Sequence, residues 1–185
     1  MLTKTQTVRR IPRTLTEGRH MTLSMRACAA WATLEEHDKV LDLSCGDGQL
    51  LSHLNRQMRL TLCGLCETPE QARAVRETLM DVDVIPGRMD DIPWRDMTFN
   101  AVLLSAGLQQ EDARRVLAEA LRVLRTGGQL VLTVPAFRTR EGVLPKRETM
   151  RLMQEAGYRA VSSRAALAGS VIVGWKNAEE DEEAE

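Results

Sequence analysis

Short apolar runs alternate along this chain with longer amphipathic segments, and this alternation restricts the fold more than any other feature of the sequence. Apolar runs of strand length predict seven strands, at 39–43, 60–66, 82–85, 99–105, 130–134, 158–162 and 170–175. Amphipathic periodicity predicts helices at 49–57, 70–80, 112–125 and 146–156, with a further helix over 15–33 that would cover the sheet or its site. Strands that alternate with helices form a parallel sheet with helices on both faces.

The last two predicted strands are joined by too few residues for a crossover helix, so they are expected to form an antiparallel hairpin. The sequence therefore predicts an α/β, doubly wound fold. Its sheet would have seven strands, mostly parallel, with an antiparallel hairpin at the C-terminus. Ligands of such sheets bind outside the carboxyl ends of the strands, where the strand order reverses.

Charge is unevenly distributed, although the net charge of the 185 residues is only −1. Residues 1–26 carry six basic side chains and one acidic side chain, and residues 176–185 carry six acidic side chains and one lysine. So dense a run of carboxylates favours a solvated tail. We expect a basic N-terminal arm with its covering helix over 1–37, a globular domain over 38–176 and an acidic disordered tail over 177–185.

Composition and charge also exclude several classes of protein. With 43% hydrophobic and 28% charged residues, the chain is typical of a globular domain. No apolar run approaches the roughly 18 residues that span a bilayer, and no apolar stretch follows the basic start as it would in a secretory signal. We therefore expect a cytoplasmic protein. The basic arm is consistent with a nucleic-acid contact, but the near-neutral net charge makes nucleic acid an unlikely partner.

Two of the four cysteines, Cys63 and Cys66, form a Cys-x-x-Cys pattern inside the predicted strand 60–66. Side chains alternate between the two faces of a strand, so positions three apart point to opposite sides. We therefore expect that these two sulfurs share neither a metal ion nor a disulfide. No metal site is predicted elsewhere.

A glycine turn follows the first predicted strand, where residues 42–48 read Asp-Leu-Ser-Cys-Gly-Asp-Gly. Gly46 and Gly48 permit tight turning and a close approach of the backbone to a ligand. The helix that follows offers its N-terminus to a polar group. The turn lacks the Gly-Lys-Ser/Thr of a phosphate-binding loop and the full Gly-x-Gly-x-x-Gly of dinucleotide folds.

Five segments, in the expected order and spacing, resemble the type 11 subgroup of class I S-adenosylmethionine-dependent methyltransferases. The most specific is Leu-Ala-Glu-Ala-Leu-Arg-Val-Leu-Arg-Thr-Gly-Gly over 117–128. The first is Val-Leu-Asp-Leu-Ser-Cys-Gly-Asp-Gly, and the segments lie at 40–48, 63–70, 87–102, 117–131 and 153–158. The resemblance implies a Rossmann-like fold, S-adenosyl-L-methionine as cofactor and a small-molecule substrate, as in the subgroup's quinone-biosynthesis enzymes. It makes residues 38–176 a methyltransferase domain.

The resemblance also implies a cofactor site. The residues that it places there are Asp42, Ser44, Cys45, Gly46, Gly48, Cys66, Glu67, Met89, Asp90 and Ser105. It implies no catalytic residue. His20, in the segment where the family builds its substrate lid, is the one histidine that we consider as a base, and a surface role is favoured for it. The oligomeric state stays open.

Three positions depart from the family pattern. Ser44 replaces the first glycine of the turn, Cys66 stands where an acid grips the two ribose hydroxyls, and Arg88 stands where an acid meets the adenine amino group. Glu67 and Asp90 are the neighbouring acids that would take over these contacts. Charged hydrogen bonds contribute roughly 1.5–3 kcal/mol each. Losing two without replacement would lower the cofactor affinity on the order of 100-fold or more.

These departures leave more than one function open. The favoured one is an active methyltransferase that acts on a small molecule. The alternative is a degenerate methyltransferase fold, retained as a binding or regulatory subunit with weak or no cofactor binding. A nucleic-acid methyltransferase is disfavoured further, because residues 104–107 read Leu-Ser-Ala-Gly instead of the Asn/Asp-Pro-Pro-aromatic site that such enzymes carry.

Overall fold

The computed structural model describes residues 9–10, 21–136, 142–167 and 169–177. Within these ranges the helices are α1 Leu23–Trp31, α2 Gln49–Gln57, α3 Pro69–Thr78, α4 Ala113–Val123 and α5 Lys146–Glu155. The strands are β1 Arg9–Arg10, β2 Thr33–Leu34, β3 Lys39–Asp42, β4 Thr61–Cys66, β5 Val82–Pro86, β6 Phe99–Leu104, β7 Leu124–Pro135, β8 Tyr158–Ala166 and β9 Gly169–Lys176.

Seven of these strands form one sheet in the order β5-β4-β3-β6-β7-β9-β8. The first five are parallel, and β9 runs antiparallel to both β7 and β8. The prediction of a seven-stranded, mostly parallel sheet with a C-terminal antiparallel hairpin is confirmed. From β3 the chain builds outwards through β4 and β5, then returns to place β6 on the other side of β3. This reversal opens a crevice at the carboxyl ends of β3 and β6.

The sheet has a separate apolar core on each face. One face packs on α4 and α5, and the other packs on α1, α2 and α3. Along β4 the two faces alternate, so Cys63 lies in the core under α4 and Cys66 lies in the core under α2 and α3. The prediction that the two cysteines face opposite sides is confirmed, as is the prediction of helices on both faces.

The first helix differs from its prediction over 15–33. It begins after Thr22, whose hydroxyl accepts a hydrogen bond from the Met25 N–H at 3.1 Å, and it ends at Trp31. Residues 33–34 are extended and pair antiparallel with residues 9–10. A pairing across more than twenty residues overrides the local helical pattern there. The rest of the basic arm, His20 and the acidic tail beyond residue 177 lie outside the described residues.

The second difference concerns residues 124–128, because the sequence predicts that the helix over 112–125 continues to residue 125. Helix α4 ends at Val123, and Leu124 already pairs with Phe99 in the sheet. The pairing then resumes at Gln129 opposite Ala101, so the two glycines form an irregularity inside β7 instead of ending the helix. Full burial of Leu124 in the core explains the early switch from helix to strand.

The connection between β5 and β6, residues 87–98, contains no helix and is held by one arginine on α4. Arg122 donates hydrogen bonds to the carbonyl oxygens of Ile92 at 2.8 Å and Trp94 at 2.9 Å, and it pairs with Asp96 and Glu119. Glu119 also accepts the N–H of Ile92 at 2.8 Å. The loop therefore has a fixed shape without secondary structure of its own.

Among the helices described, none has the length and apolarity that a bilayer crossing requires.

Gly48→Ala tests whether the glycine turn and the packing of α3 depend on each other. Gly48 has a φ of +79°, and an added Cβ would lie 2.7 Å from Cγ1 of Val75 on α3. A left-handed conformation costs a non-glycine residue about 1–3 kcal/mol, and the clash adds to it. We expect urea denaturation to show a loss of about 2–4 kcal/mol in the free energy of unfolding.

Gly127→Ala is the matched control, because Gly127 also has a positive φ, +74°, but no atom lies within 4 Å of an added Cβ. This variant should lose only the conformational part, about 1 kcal/mol. Equal losses in the two variants would contradict a packing role for Gly48.

Candidate functional site

A cavity of about 500 Å³ opens at the carboxyl ends of β3, β4 and β6, in the crevice where the strand order reverses. Its size is that of a small-molecule site. Six of the predicted site residues line it, namely Ser44, Gly46, Cys66, Glu67, Met89 and Asp90. The other four, Asp42, Cys45, Gly48 and Ser105, do not line it and belong to the layer that supports it.

Ser44 joins the ends of the two central strands. Its N–H donates to Oδ1 of Asp42 at 3.0 Å, and its hydroxyl accepts the N–H of Ser105 at 3.2 Å. The carbonyl oxygen of Ser105 in turn accepts the hydroxyl of Thr133 on β7 at 2.9 Å. The side chain that replaces the family's glycine therefore ties the turn after β3 to β6 and, through Ser105, to β7.

Asp42 is fully buried at the end of β3 and has one oxygen to spare. Its Oδ1 accepts the Ser44 N–H, and its Oδ2 has no hydrogen-bond partner among the described residues. Burial raises the pKa of Asp42 to about 7, and the hydrogen bonds from Ser44 oppose the rise only in part. A buried acceptor without a partner favours the arrival of a donor or a cation nearby.

Cys66 keeps the inward orientation that the alternation along β4 gives it, and Glu67 lies beyond the end of the strand. Strand β4 ends at Cys66, and Thr68 already caps α3 by accepting the Gln71 N–H at 3.3 Å. The Cys66 sulfur turns inward to the Cys45 sulfur at 3.3 Å, and the residue is 2% exposed. Glu67, outside the strand, is exposed and lines the cavity. Glu67 therefore places an acidic residue on the side of the cavity where Cys66 presents no charge.

Asp90 also lines the cavity, but its charge is already engaged. Arg88 donates two hydrogen bonds to its carboxylate, at 2.8 and 2.9 Å, and Arg115 on α4 lies 3.0 Å from Oδ2. The guanidinium of Arg88 lowers the pKa of Asp90. Arg88 and Asp90 thus neutralise each other at one end of the cavity. Glu67, in contrast, makes no ion pair within the described structure.

Comparison with known proteins identifies the family. Residues 41–132 match the model of a methyltransferase domain, type 11. A demethylmenaquinone methyltransferase from Thermotoga maritima is 34% identical over 97 residues, 51% of this chain and 42% of that protein. One from Corynebacterium glutamicum is 32% identical over 137 residues, 70% of this chain and 56% of that protein. The chain belongs to the type 11 methyltransferase family. It spans about half the length of these curated relatives.

A solved structure agrees with the family at the level of the fold. A SAM-dependent methyltransferase from Methanosarcina mazei superposes with a TM-score of 0.65 over 79% of this chain and 95% of that one. The two sequences are 16% identical in this comparison, so the likeness shows the shared Rossmann-like fold alone. Family membership rests on the sequence match.

Sequence reasoning missed two features of this methyltransferase site. The contact between Cys45 and Cys66 joins a turn to a strand end 21 residues away, and no local pattern signals it. The far wall of the cavity comes from residues 106–109 and from Asp112 and Val116 near the start of α4. The position of residues 106–109, directly after β6, is the signal from which that wall could have been predicted. Within the ranges that the structure describes, no three metal-ligating side chains are grouped to hold an ion.

Asp42→Asn tests the buried carboxyl through the pH dependence of stability. Because the pKa of Asp42 rises from 3.8 to about 7 on folding, the folded state holds its proton more tightly than the unfolded state. The free energy of unfolding should therefore fall as pH rises from about 4 to 7. Asparagine does not titrate. Relative to this variant, the wild type should lose on the order of 4 kcal/mol between pH 4 and pH 8.

Asp47→Asn serves as the control, since Asp47 is an exposed carboxyl in the same turn. Urea denaturation across the pH range would measure all three proteins. Parallel stability curves for the wild type and Asp42→Asn would show that the carboxyl is not held protonated by burial.

Proposed function

We propose that this protein is an S-adenosylmethionine-dependent methyltransferase that acts on a small molecule. One observation carries the proposal: the cavity at the switch point of a type 11 methyltransferase fold is lined by the glycine turn after β3 and by a free carboxylate after β4. The cofactor, when bound, supplies a methyl group on a positively charged sulfur. The chain binds it, orients it and positions the acceptor in line with the methyl group.

The residues present fit such a cofactor. S-adenosylmethionine carries an ammonium group, two ribose hydroxyls and an exocyclic amino group, all of which donate hydrogen bonds. Glu67, directly after β4 and 19 residues after Gly48, would accept from the ribose, since dinucleotide folds place their ribose-binding acid about 20 residues after the glycine motif. Gly46, at a φ of +54°, has no atom closer than 3.8 Å to an added Cβ, which leaves the turn open to a ligand. Asp42, beneath the turn, has a carboxyl oxygen without a partner among the described residues, and this oxygen is an acceptor that suits the ammonium.

The adenine end is the weakest part of the fit. The guanidinium of Arg88 has donors only, and Asp90 already accepts hydrogen bonds from it. A carboxylate oxygen accepts more than one hydrogen bond, so Asp90 still offers lone pairs to an amino group. Met89, half-buried between these two residues, offers an apolar surface to the ring.

A small acceptor is supported by the size of the cavity. About 500 Å³ is compatible with the cofactor and a small acceptor, and apolar side chains such as Leu43, Leu65 and Leu108 share the lining with the polar groups. The curated relatives named above are demethylmenaquinone methyltransferases, and they agree with this class of substrate.

Calorimetric titration with S-adenosylmethionine and with S-adenosylhomocysteine tests the proposal directly. We expect both to bind the chain with dissociation constants in the micromolar range, because the glycine turn and one carboxylate of the site are in place. Absence of binding at millimolar ligand would overturn the proposal for this chain and favour the alternative of a binding or regulatory subunit.

Glu67→Gln tests the assignment of the ribose contact. Loss of a charged hydrogen-bond acceptor costs roughly 1.5–3 kcal/mol, so the affinity for S-adenosylhomocysteine should fall more than tenfold. Glu70→Gln is the matched control, since Glu70 is an exposed acid in the first turn of α3 that does not line the cavity. Asp90→Asn should weaken binding less than Glu67→Gln, because the charge of Asp90 is already compensated. Equal affinity of wild type and Glu67→Gln would refute the assignment.

A further inference from the structure

Two neighbouring thiols, Cys66 on the cavity wall and Cys45 behind it, have no place in the proposed methyl transfer. Cys45 is fully buried in the glycine turn, and Cys66 is 2% exposed at the end of β4. Their sulfur atoms are 3.3 Å apart. Each side chain comes from a different segment, so the contact joins the turn after β3 to the end of the neighbouring strand.

Backbone contacts hold the two sulfurs in this position. The Cys45 N–H donates to the carbonyl oxygen of Leu65 at 3.2 Å, which fixes the turn beside the end of β4. The Cys45 sulfur packs over Gly64, where an added Cβ would lie only 2.9 Å away. The absence of a side chain at Gly64 is therefore what lets the Cys45 thiol approach Cys66.

The other two cysteines have different surroundings. Cys28 donates a hydrogen bond to the carbonyl oxygen of Val131 at 3.3 Å, and Cys63 lies among apolar side chains on the opposite face of the sheet. Buried thiols of this kind act as small hydrophobic residues. Cys66 differs from them because the residue lines the cavity, next to where a small reagent would enter.

We propose that Cys45 and Cys66 are a redox modification site, which a hydroperoxide converts to a disulfide and a thiol reductant restores. A disulfide requires a sulfur–sulfur distance of about 2.05 Å, so the two sulfurs must approach by roughly 1.2 Å. Rotation of the two side chains would supply part of this movement, and a shift of the turn towards the strand end, which is already adjacent, would supply the rest.

The reaction has two balanced steps. In the first, the Cys66 sulfur attacks the peroxide, the O–O bond breaks, a sulfenic acid forms on Cys66, and one water is released when the oxidant is hydrogen peroxide. In the second, the Cys45 sulfur attacks the Cys66 sulfur, the S–O bond breaks, the S–S bond forms, and a second water leaves. The peroxide gains two electrons, and the two thiols lose their protons to the two waters.

The disulfide would act on the cofactor site, and this part of the inference rests on the proposed function. Drawing the sulfurs together pulls on the turn that carries Ser44 and Gly46 and on the strand end that carries Glu67. Displacements of this order at positioning residues are costly. We expect the oxidised protein to bind S-adenosylhomocysteine at least tenfold more weakly. Because coupling between two sites is reciprocal, bound S-adenosylhomocysteine should make disulfide formation correspondingly less favourable.

Intact mass spectrometry and peptide mapping after hydrogen peroxide treatment test the disulfide without any reference to methyl transfer. The mass should fall by about 2 Da, and dithiothreitol should reverse the change. Trypsin separates Cys45, in peptide 40–56, from Cys63 and Cys66, which share peptide 60–73. Mapping is therefore done in Cys63→Ala, whose peptides should link 40–56 to 60–73 as in the wild type.

The variants separate this pair from the other thiols. Cys66→Ala and Cys45→Ala should each abolish the loss of 2 Da, whereas Cys63→Ala should keep it. If Cys45→Ala or Cys66→Ala fails to fold, the wild type and Cys63→Ala still decide the question, because peptide mapping identifies the linked peptides directly. A link to Cys28, or four free thiols after excess peroxide, would overturn the inference.

The pH dependence of the rate gives an independent check. Burial raises the pKa of Cys45 and of Cys66, so both are protonated at neutral pH. Since the thiolate is the nucleophile, the rate of disulfide formation should rise about tenfold from pH 7 to pH 8. A rate that does not change with pH would contradict attack by the Cys66 thiolate.

Titration of S-adenosylhomocysteine into reduced and oxidised protein completes the experiment. Weak binding that dithiothreitol restores supports the coupling, and equal affinity of the two forms would refute it. Failure of the reduced protein to bind at all would count against the proposed function, while the mass measurement would still decide the disulfide.

Discussion

The hydrogen bonds of Ser44 are the interaction on which the rest of the site depends. At the switch point of a doubly wound sheet the chain leaves β3 and β6 in opposite directions, and the ladder between the two strands ends at the pairing of residues 42–43 with Leu103. Ser44 extends this connection beyond the strand ends by donating to Asp42 and accepting from Ser105. A glycine here would keep the backbone contact to Asp42 and lose the hydrogen bond to Ser105. The departure from the family pattern therefore adds a constraint instead of removing one.

The charges around the cavity are arranged so that one carboxylate stays available. Asp90 is compensated by Arg88 and Arg115, whereas Asp42 is buried beneath the turn. Glu67 alone among these acids combines exposure with a position on the cavity wall. A ligand with hydroxyl donors meets a net acceptor on the β4 side and a closed ion pair on the other side. Because the two sides of the cavity differ in charge, one orientation of a bound ligand is favoured over the other.

The sequence predicts those features that depend on periodicity and on local turn chemistry. Alternation along 60–66 correctly separates Cys63 from Cys66, and the glycine turn lies where the motif predicts. The features that the sequence does not predict depend on contacts between segments that are distant along the chain. Leu124 departs from the helical pattern because it pairs with Phe99 in the sheet and is buried in the core. The pairing of Asp90 with Arg115 and that of Cys45 with Cys66 are made across 25 and 21 residues, and only the folded chain brings them together.

The clamp that Arg122 places on residues 92–96 affects how a ligand is received. That loop continues the segment that carries Met89 and Asp90, and its carbonyl groups at Ile92 and Trp94 are bound by Arg122 before any ligand arrives. The loop loses its conformational entropy when the chain folds, so the binding of a ligand does not have to order the loop again. The cavity wall next to this loop, at Met89 and Asp90, therefore presents a preformed shape, which disfavours rings that would need the loop to adapt.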